Sequence, residues 1–292
     1  MIGAVVVTYH PDEAALSGIE KWQELFGAVA VVDNSAQCPA ALQTLSNRYA
    51  HVDLIANGRN LGVAAALNQG VARLLAQGCD YLFLFDQDSE PEAAMVNGVV
   101  AQLQALDGEP VAQIGPAYFD RRLQQRAPFI QLVGGRIVRH PAQGEALIEA
   151  DYLITSGTCI PSRAWQQIGP MDERLFIDFV DIEWGLRARA QGWRSYGWPA
   201  VTMQHSLGDE PVKVFGRSYP LHSPLRHYYY FRNCIALMKR AYIPREWKWI
   251  ELYKLPLRFV VYAIFTRQRR RHAYMMLRGL WDGLRGKTGR AP

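Results

Sequence analysis

The sequence predicts an α/β fold with a mostly parallel sheet flanked by helices. Short apolar runs alternate with helix-length amphipathic stretches from Ala4 to Phe85. Strands separated in this way need crossovers, which favour parallel neighbours. In addition, the five-residue apolar run Tyr81-Leu82-Phe83-Leu84-Phe85 leads directly into Asp86-Gln87-Asp88. A run so short and so apolar reads as a strand buried on both faces. Its two aspartates then stand at the carboxyl edge of the sheet, where open α/β folds bind ligands.

Ala4–Thr8 is the first strand and Glu13 to Phe26 a helical stretch. Ala28–Val32 is the second strand, ending in Asp33-Asn34-Ser35. A helix over Pro39–Tyr49, a strand at Val52–Ala56 and the loop Asn57–Gly62 follow. The helix from Val63 to Gln77 carries Leu67, Val71, Leu74 and Leu75 on one face, and Gly78 stops it. A dinucleotide-binding unit would need Gly-x-Gly-x-x-Gly after the first strand, and Thr8-Tyr9-His10-Pro11 stands there instead. No Gly-x-x-x-x-Gly-Lys-Ser/Thr occurs, which excludes a P-loop.

After Asp88 the pattern is less regular. Pro91–Leu106 reads as a helix, Ile114–Phe119 as a strand, and Gln131–Arg139 as an edge ribbon. Asp151–Ile160 is strand-like around Thr155-Ser156-Gly157-Thr158. Gly157 there either leaves room for a ligand or makes a tight packing turn. Arg163–Gly169 is a short helix, residues 181–190 another, and Ala200–Gln204 a strand that runs into His205.

Two carboxylate groups carry chemistry. Asp86 and Asp88 offer hard oxygens suited to Mg²⁺ or Mn²⁺ holding a diphosphate. A solvated strand exit with a helix cap at Ser89 is the plainer alternative. Asp178, Asp181 and Glu183 form the second group, among Phe, Ile, Val and Trp. Acids favour helix N-termini, yet an acid in a partly apolar setting has a raised proton affinity and can act as a general base. His205, ending a strand, is a candidate further metal ligand.

The net charge of +5 is uneven: residues 239–292 carry +11 and the rest −6. Such a tail points to an anionic surface, either membrane or nucleic acid. Trp247, Trp249, Leu252, Tyr253 and Leu257–Phe265 are interleaved with Lys248, Lys254 and Arg258. Tyr274, Leu277, Trp281 and Leu284 recur at helical spacing. Pro256 is expected to break any single long helix here. Aromatics with cations on amphipathic helices suit an anionic bilayer surface, each cation contributing about 1 kcal/mol. The rival is a tail packed on the acidic body. The four cysteines are far apart and fit a reducing cytosol without zinc or disulfides. No signal peptide is expected ahead of the first strand.

The ordered set Val5-Val6-Val7-Thr8-Tyr9, Asp33-Asn34-Ser35, Asn60-Leu61-Gly62, Asn68-Gln69-Gly70 and Asp86-Gln87-Asp88 resembles glycosyltransferase family 2. Ser156-Gly157, the helix start at Asp181 and His205 continue the resemblance, which covers roughly residues 3–240. Phe176–Arg189 and His222–Asn233 look most like its rhamnosyltransferase branch. The resemblance implies a GT-A fold, the Rossmann-like fold of nucleotide-diphospho-sugar transferases. Residues 1–240 would form the catalytic domain and 241–292 a basic helical C-terminal extension.

It also implies roles. Thr8, Tyr9, Asp33, Asn60, Gly62, Asp86 and Gln87 match donor-binding positions, Asp88 and His205 the metal positions, and Asp181 the catalytic base. The family often has Glu-Asp where this chain has Val180-Asp181, so Asp178 stands as rival base. Gly157, Asp178 and Trp184 are expected on the acceptor side. Tyr228–Tyr230 could stack on sugars or pack in a core, and packing is preferred for Tyr229. The reaction implied is inverting transfer of L-rhamnose from dTDP-L-rhamnose to a saccharide, lipid-linked or in lipopolysaccharide. It would take place at the cytoplasmic face of a bacterial inner membrane. Another UDP- or GDP-sugar is the alternative donor. A sugar nucleotidyltransferase would need a Gly-rich basic loop after the first strand. A nucleic-acid-binding protein would not need the buried acids, so no nucleic-acid partner is expected. A sugar-binding module without turnover is the remaining rival.

Overall fold

A computed structural model of the chain describes residues 1–120, 125–205, 209–214 and 217–291. The first half follows the alternation read above. Strands β1 (Ile2–Thr8), β2 (Ala28–Asp33), β3 (Val52–Ala56) and β4 (Tyr81–Asp86) are joined by helices α1 (Glu13–Glu20), α2 (Ala40–Arg48) and α3 (Val63–Ala76). The helical stretch after β1 ends sooner than expected, passing into a 3₁₀ turn at Lys21–Glu24. Helix α4 (Ala93–Ala105) follows β4, and then come β5 (Val111–Asp120) and the two-residue β6 (Gln125–Arg126). The expected edge ribbon is a separate hairpin of β7 (Phe129–Val133) and β8 (Arg136–His140).

Of the segment expected as one strand over Asp151–Ile160, only Thr158–Ile160 lies in a strand, β10 (Thr158–Pro161), while β9 (Ile148–Ala150) ends just before it. Helices α5 (Ser162–Ile168) and α6 (Val180–Ala190) lead to β11 (Arg194–His205). This strand is longer than the Ala200–Gln204 run suggested, because it continues through Pro199 with a register shift between Trp198 and Thr202. A proline lacks the N–H a ladder needs, so a bulge there is expected. A ribbon of β12 (Asp209–Val214) and β13 (Arg217–Leu221) precedes α7 (Pro224–Met238), α8 (Arg245–Phe265) and α9 (Arg269–Leu284).

The main sheet has the order β3-β2-β1-β4-β10-β5-β11-β9. Strands β3, β2, β1 and β4 are parallel, and β10 runs antiparallel between β4 and β5. Alternate residues of the central strands feed two layers. Val5, Ala30, Leu82 and Leu84 pack with α3, α6 and the C-terminal helices. Val6, Val31, Phe83 and Phe85 pack on the opposite face with Trp22, Leu42 and α4. This two-sided burial is why the strands read as unbroken apolar runs. In register, Thr8 lies opposite Asp33, and Val7 opposite Asp86, so three polar groups share one sheet edge.

Helix α8 runs unbroken through Pro256, contrary to the expected break. Pro256 is exposed, so the Leu252 carbonyl it strands can be solvated. Burial of Trp247, Leu255, Val261 and Tyr262 holds the helix on both sides of it. Helices α8 and α9 share the core cluster of the sheet through Trp247, Leu255, Val261, Tyr262 and Met276. Helix α9 crosses α7 closely at Gly279, where a Cβ would lie 2.4 Å from the Tyr228 carbonyl oxygen.

Candidate active site at the carboxyl edge of the sheet

The strand ends are tied together before any ligand arrives. The Thr8 hydroxyl donates to Asp33 Oδ1 at 2.8 Å, and the Ser35 hydroxyl donates to the same oxygen at 2.8 Å. Asp33 Oδ2 accepts from the Ser35 N–H. Thr8 and Asp33 are both fully buried. They therefore act as a pin between β1 and β2. Both side chains, expected at donor-binding positions, are occupied with each other and with Ser35 in this structure. Tyr9, just beyond, is half exposed, and its N–H donates to Gln87 Oε1 at 2.8 Å. Gln87 thus couples the loop after β1 to the loop after β4.

Asp86 is held from across the sheet. Antiparallel β10 places Ser156 beside the end of β4. The Ser156 hydroxyl donates to Asp86 Oδ2 at 2.6 Å and accepts from the Asp86 N–H at 3.1 Å. Gly157 supports this turn. Its φ is +79°, its N–H donates to the Leu84 carbonyl, and a Cβ would lie 3.0 Å from both Met203 and Pro116. The packing alternative therefore holds for Gly157, and it does not offer open space to an acceptor.

The segment before α6 is the most unusual backbone in the chain. Phe176, Asp178 and Phe179 all have positive φ (68°, 63° and 65°) without being glycine. Non-glycine residues with positive φ cluster at functional sites and persist only where their surroundings over-determine them. Here α7 supplies the surroundings. Asn233 Nδ2 donates to the carbonyls of Leu175, Ile177 and Asp178 at 2.7–3.0 Å. Arg232, fully buried, donates to the Leu175 carbonyl at 2.8 Å and to Asn233 Oδ1. On the other side Gly62 meets the loop. Its φ is +91°, a Cβ would lie 2.6 Å from the Phe176 oxygen, and Val63 N–H donates to that oxygen at 2.7 Å.

This loop and the sheet edge enclose a cavity of about 410 Å³ lined by Asp86, Asp88, Thr155, Asp178, Asp181 and Tyr230, among others. Asp181 sits in the first turn of α6 and accepts from the Ile182 N–H at 2.8 Å. Its proton affinity is raised to about 6, chiefly by burial, with the charges of Asp86 and Asp178 adding to the effect. Asp178 pairs with Arg226 at 3.0 Å. Burial raises its proton affinity too, while Arg226 opposes the rise. The cavity thus holds four carboxyl groups, of which Asp181 makes no ion pair among the described residues.

Several expected site residues lie elsewhere. Trp184 is 0% exposed, stacks on Trp165 and donates to the Gly169 carbonyl, so core packing removes it from acceptor contact. Glu183 is bound internally by Arg187 and Arg240. Asn60 caps the Gly62 N–H and lines a second cavity of about 350 Å³ with Arg59, Phe176 and Arg290. Tyr228 and Tyr229 are buried, Tyr229 stacking on Phe176, as preferred for the latter. His205 ends β11, and its side chain lies outside what the structure describes.

Arg226 and the Arg232–Asn233 clamp were not read as site residues, though the ordered segment His222–Asn233 carried part of the resemblance; Tyr230, weighed as a sugar platform or a core residue, and Thr155, in the small-residue segment, both line the cavity. For a metal, the exposed Asp88 and the part-buried Asp86 face the cavity. Among the described residues no three His, Cys, Asp or Glu side chains form a metal-holding group. Mg²⁺ is commonly held by one or two carboxylates together with substrate phosphates, and the Asp86–Asp88 pair fits that pattern.

Comparison with known proteins bears on the family and the fold. The family described as "Glycosyl transferase family 2" matches residues 19–151. A dTDP-rhamnosyl transferase RfbF of Shigella flexneri is 33% identical, covering 99% of this chain and 97% of that protein. An N-acetylglucosaminyl-diphospho-decaprenol L-rhamnosyltransferase of Mycobacterium tuberculosis is 24% identical over 73% of this chain and 79% of its own length. Among solved structures, GalNAc-T7 crystallised with UDP, GalNAc and Mn²⁺ superimposes with a TM-score of 0.56 at 11% identity. It matches over 98% of this chain, which spans 56% of that longer one, and the likeness shows the fold alone. On its full-length similarity to RfbF, its matched family segment and its GT-A fold, the chain belongs to glycosyl transferase family 2, on the rhamnosyltransferase-like side.

Proposed function

We propose that the protein transfers L-rhamnose from dTDP-L-rhamnose, with inversion, to a saccharide hydroxyl during assembly of a bacterial surface polysaccharide of the lipopolysaccharide type. The observation that carries the reading is Asp181, a carboxyl raised to about 6 in one cavity with the strand-end aspartates 86 and 88. Above that pH it is ionised and can accept the acceptor hydroxyl's proton. The freed oxygen forms the new bond to the anomeric carbon. The bond from that carbon to the diphosphate oxygen breaks, and dTDP leaves with its electron pair. Asp178 is already engaged by Arg226, which favours Asp181 as the base. Full-length similarity to RfbF supports the donor.

Asp88 and Asp86 would hold Mg²⁺ or Mn²⁺, whose charge would offset that on the departing diphosphate. Residues 1–240 are assigned to catalysis and 241–292 to a basic extension. No helix among the described residues is long and apolar enough to cross a membrane. Exposed Trp249, Tyr253, Leu257, Ile264, Leu277 and Trp281 nevertheless stud α8 and α9. With the cations of the tail they support peripheral binding at the cytoplasmic face of an anionic membrane.

Release of dTDP from dTDP-L-rhamnose, measured with Mn²⁺ and a lipid-linked saccharide, tests the reading. Faster turnover of a UDP- or GDP-sugar would overturn the donor. Unchanged turnover in Asp88→Asn would overturn the metal assignment. Flotation with anionic vesicles should be weakened by Trp249→Ser combined with Trp281→Ser, and equal flotation would reject the membrane surface.

A further inference from the structure

Ser156 is 1% exposed, and its hydroxyl is directed at the last residue of β4. The direction of β10 brings this about. It runs antiparallel to β4, with Thr158 paired to Leu84. Continued by two residues, that register sets Ser156 opposite Asp86. A parallel neighbour would bring its own carboxyl end to this edge, whereas β10 brings the segment that leads into it.

Two hydrogen bonds close a small ring. The Asp86 N–H can only donate, so the Ser156 oxygen accepts from it at 3.1 Å. The serine proton then goes to Asp86 Oδ2 at 2.6 Å. One side chain, 70 residues away in sequence, thus fixes both the main chain and the carboxylate of Asp86. Asp86 lines the acidic cavity, and with Oδ2 engaged it has Oδ1 to offer a ligand.

Ser156 is itself held from three sides. The Tyr118 hydroxyl, on β5 and buried, donates to the Ser156 carbonyl. The Gly157 N–H donates to the Leu84 carbonyl at 2.8 Å, and the Thr158 N–H to the Thr155 carbonyl at 3.1 Å. The Thr158 hydroxyl donates to the Ile154 carbonyl at 2.7 Å. These bonds hold the turn without the serine hydroxyl, and an alanine there would bury no polar group. The hydroxyl therefore serves its partner rather than its own turn. Groups of this kind, one step behind a metal-binding side chain, orient it and tune its affinity.

We infer that Ser156, backed by Tyr118, is a positioning residue that orients Asp86 toward a divalent cation. This rests on the reading of Asp86 and Asp88 as the groups that hold the cation. A ribose is the competing ligand for Asp86. A ribose diol is best met by both oxygens of a carboxylate, each accepting from one hydroxyl, and here Oδ2 already accepts from Ser156. A cation shared with Asp88 and substrate phosphates asks no more than one oxygen of each acid.

The deciding measurement is Mn²⁺ binding, which needs no turnover. Free Mn²⁺ is followed by electron paramagnetic resonance against the full chain with dTDP present, for wild type, Ser156→Ala, Ser156→Thr and Tyr118→Phe. Ser156→Ala should bind Mn²⁺ about 10–100-fold more weakly, the range typical for losing the partner behind a metal ligand. Ser156→Thr keeps the hydroxyl and should stay close to wild type, and Tyr118→Phe should lose less than Ser156→Ala. Binding of dTDP in EDTA should be the same for wild type and Ser156→Ala. In turnover, Ser156→Ala should need more Mn²⁺ for half-maximal rate while kcat at saturating Mn²⁺ holds. Equal Mn²⁺ binding by wild type and Ser156→Ala would overturn the positioning role and leave the cation reading intact. Equal weakening in Ser156→Ala and Ser156→Thr would also overturn it, since the hydroxyl would then not be the cause. So would weaker dTDP binding by Ser156→Ala in EDTA, which would assign Asp86 to the ribose. Failure of wild type to bind Mn²⁺ would overturn this inference and the cation reading together. If circular dichroism shows that Ser156→Ala does not fold, Tyr118→Phe takes its place with the same directions of change.

Discussion

Replacing Asp181 by Asn should make the protein more stable while removing its activity, and the gain should depend on pH. The carboxyl is raised from 3.8 to about 6, mainly by burial. The native state therefore holds this proton more tightly than the unfolded state does. As pH rises from below 3.8 to above 6, the unfolded chain loses the proton first, and wild-type stability falls over that window. At about 1.4 kcal/mol for each factor of ten in proton affinity, the full loss is about 3 kcal/mol above pH 6 and about half that at pH 5. Asn carries no charge to desolvate, and its Oδ1 can still accept from Ile182. For 292 residues, about 3 kcal/mol corresponds to a rise of about 5 °C in Tm. Thermal melts of both proteins at pH 5 and pH 8, with dTDP release on the same samples, make the assay. Turnover should fall by about 10²–10⁴, and wild-type kcat/KM should decline below about pH 6. A stability gain of equal size at both pH values would refute the reasoning, because it could not come from this ionisation.

Gly62→Ala places a Cβ 2.6 Å from the Phe176 oxygen at a φ of +91°, so urea unfolding should show a loss of about 1–3 kcal/mol with reduced turnover. Asn233→Ala strips donors from three carbonyls of the Leu175–Asp178 loop. It should cost at least about 2 kcal/mol and lower kcat more than donor KM. Pro256→Ala restores an N–H in the interior of α8, and thermal melting should show a gain of about 1–3 kcal/mol, with a lower Tm counting against the account.

Much of the sheet half was legible because its signals are local. Strands β1, β2 and β4 carry unbroken apolar runs, and α3 shows its buried stripe within its own residues. The course of β11 was harder to read, since Pro199 argues against a continuous strand and only pairing with β5 overrides it. Helix α8 passes Pro256 for a similar reason: packing of Trp247 and Val261 outweighs one lost bond. At the site, the acids were visible as acids, but their neighbours were not. Nothing near Phe176, Asp178 and Phe179 marks a left-handed backbone, because its restraint arrives from Asn233, 55 residues beyond Asp178. Trp184 looked like a sugar platform by residue type, and only burial against Trp165 shows otherwise. Thr8 and Asp33 were read as ligand contacts, and their buried mutual hydrogen bond came to light only with the pairing of β1 and β2.

The clamp on the loop before α6 has a consequence for biosynthesis. Besides Asn233 and Arg232, the segment is reached by Gly289, whose N–H donates to the Arg174 carbonyl at 2.7 Å. Arg232 in turn donates to the Gly289 carbonyl, and the Tyr229 hydroxyl accepts from the Ala291 N–H at 2.7 Å. A ribosome delivers Asp181 long before it delivers Gly289. At roughly 5–20 residues per second, the nascent chain waits several seconds with its sheet formed and this loop lacking its partners. The proposed base, Asp181, is thus the last part of the site to be set in place, and a nascent chain still short of Gly289 lacks the contacts that hold its loop.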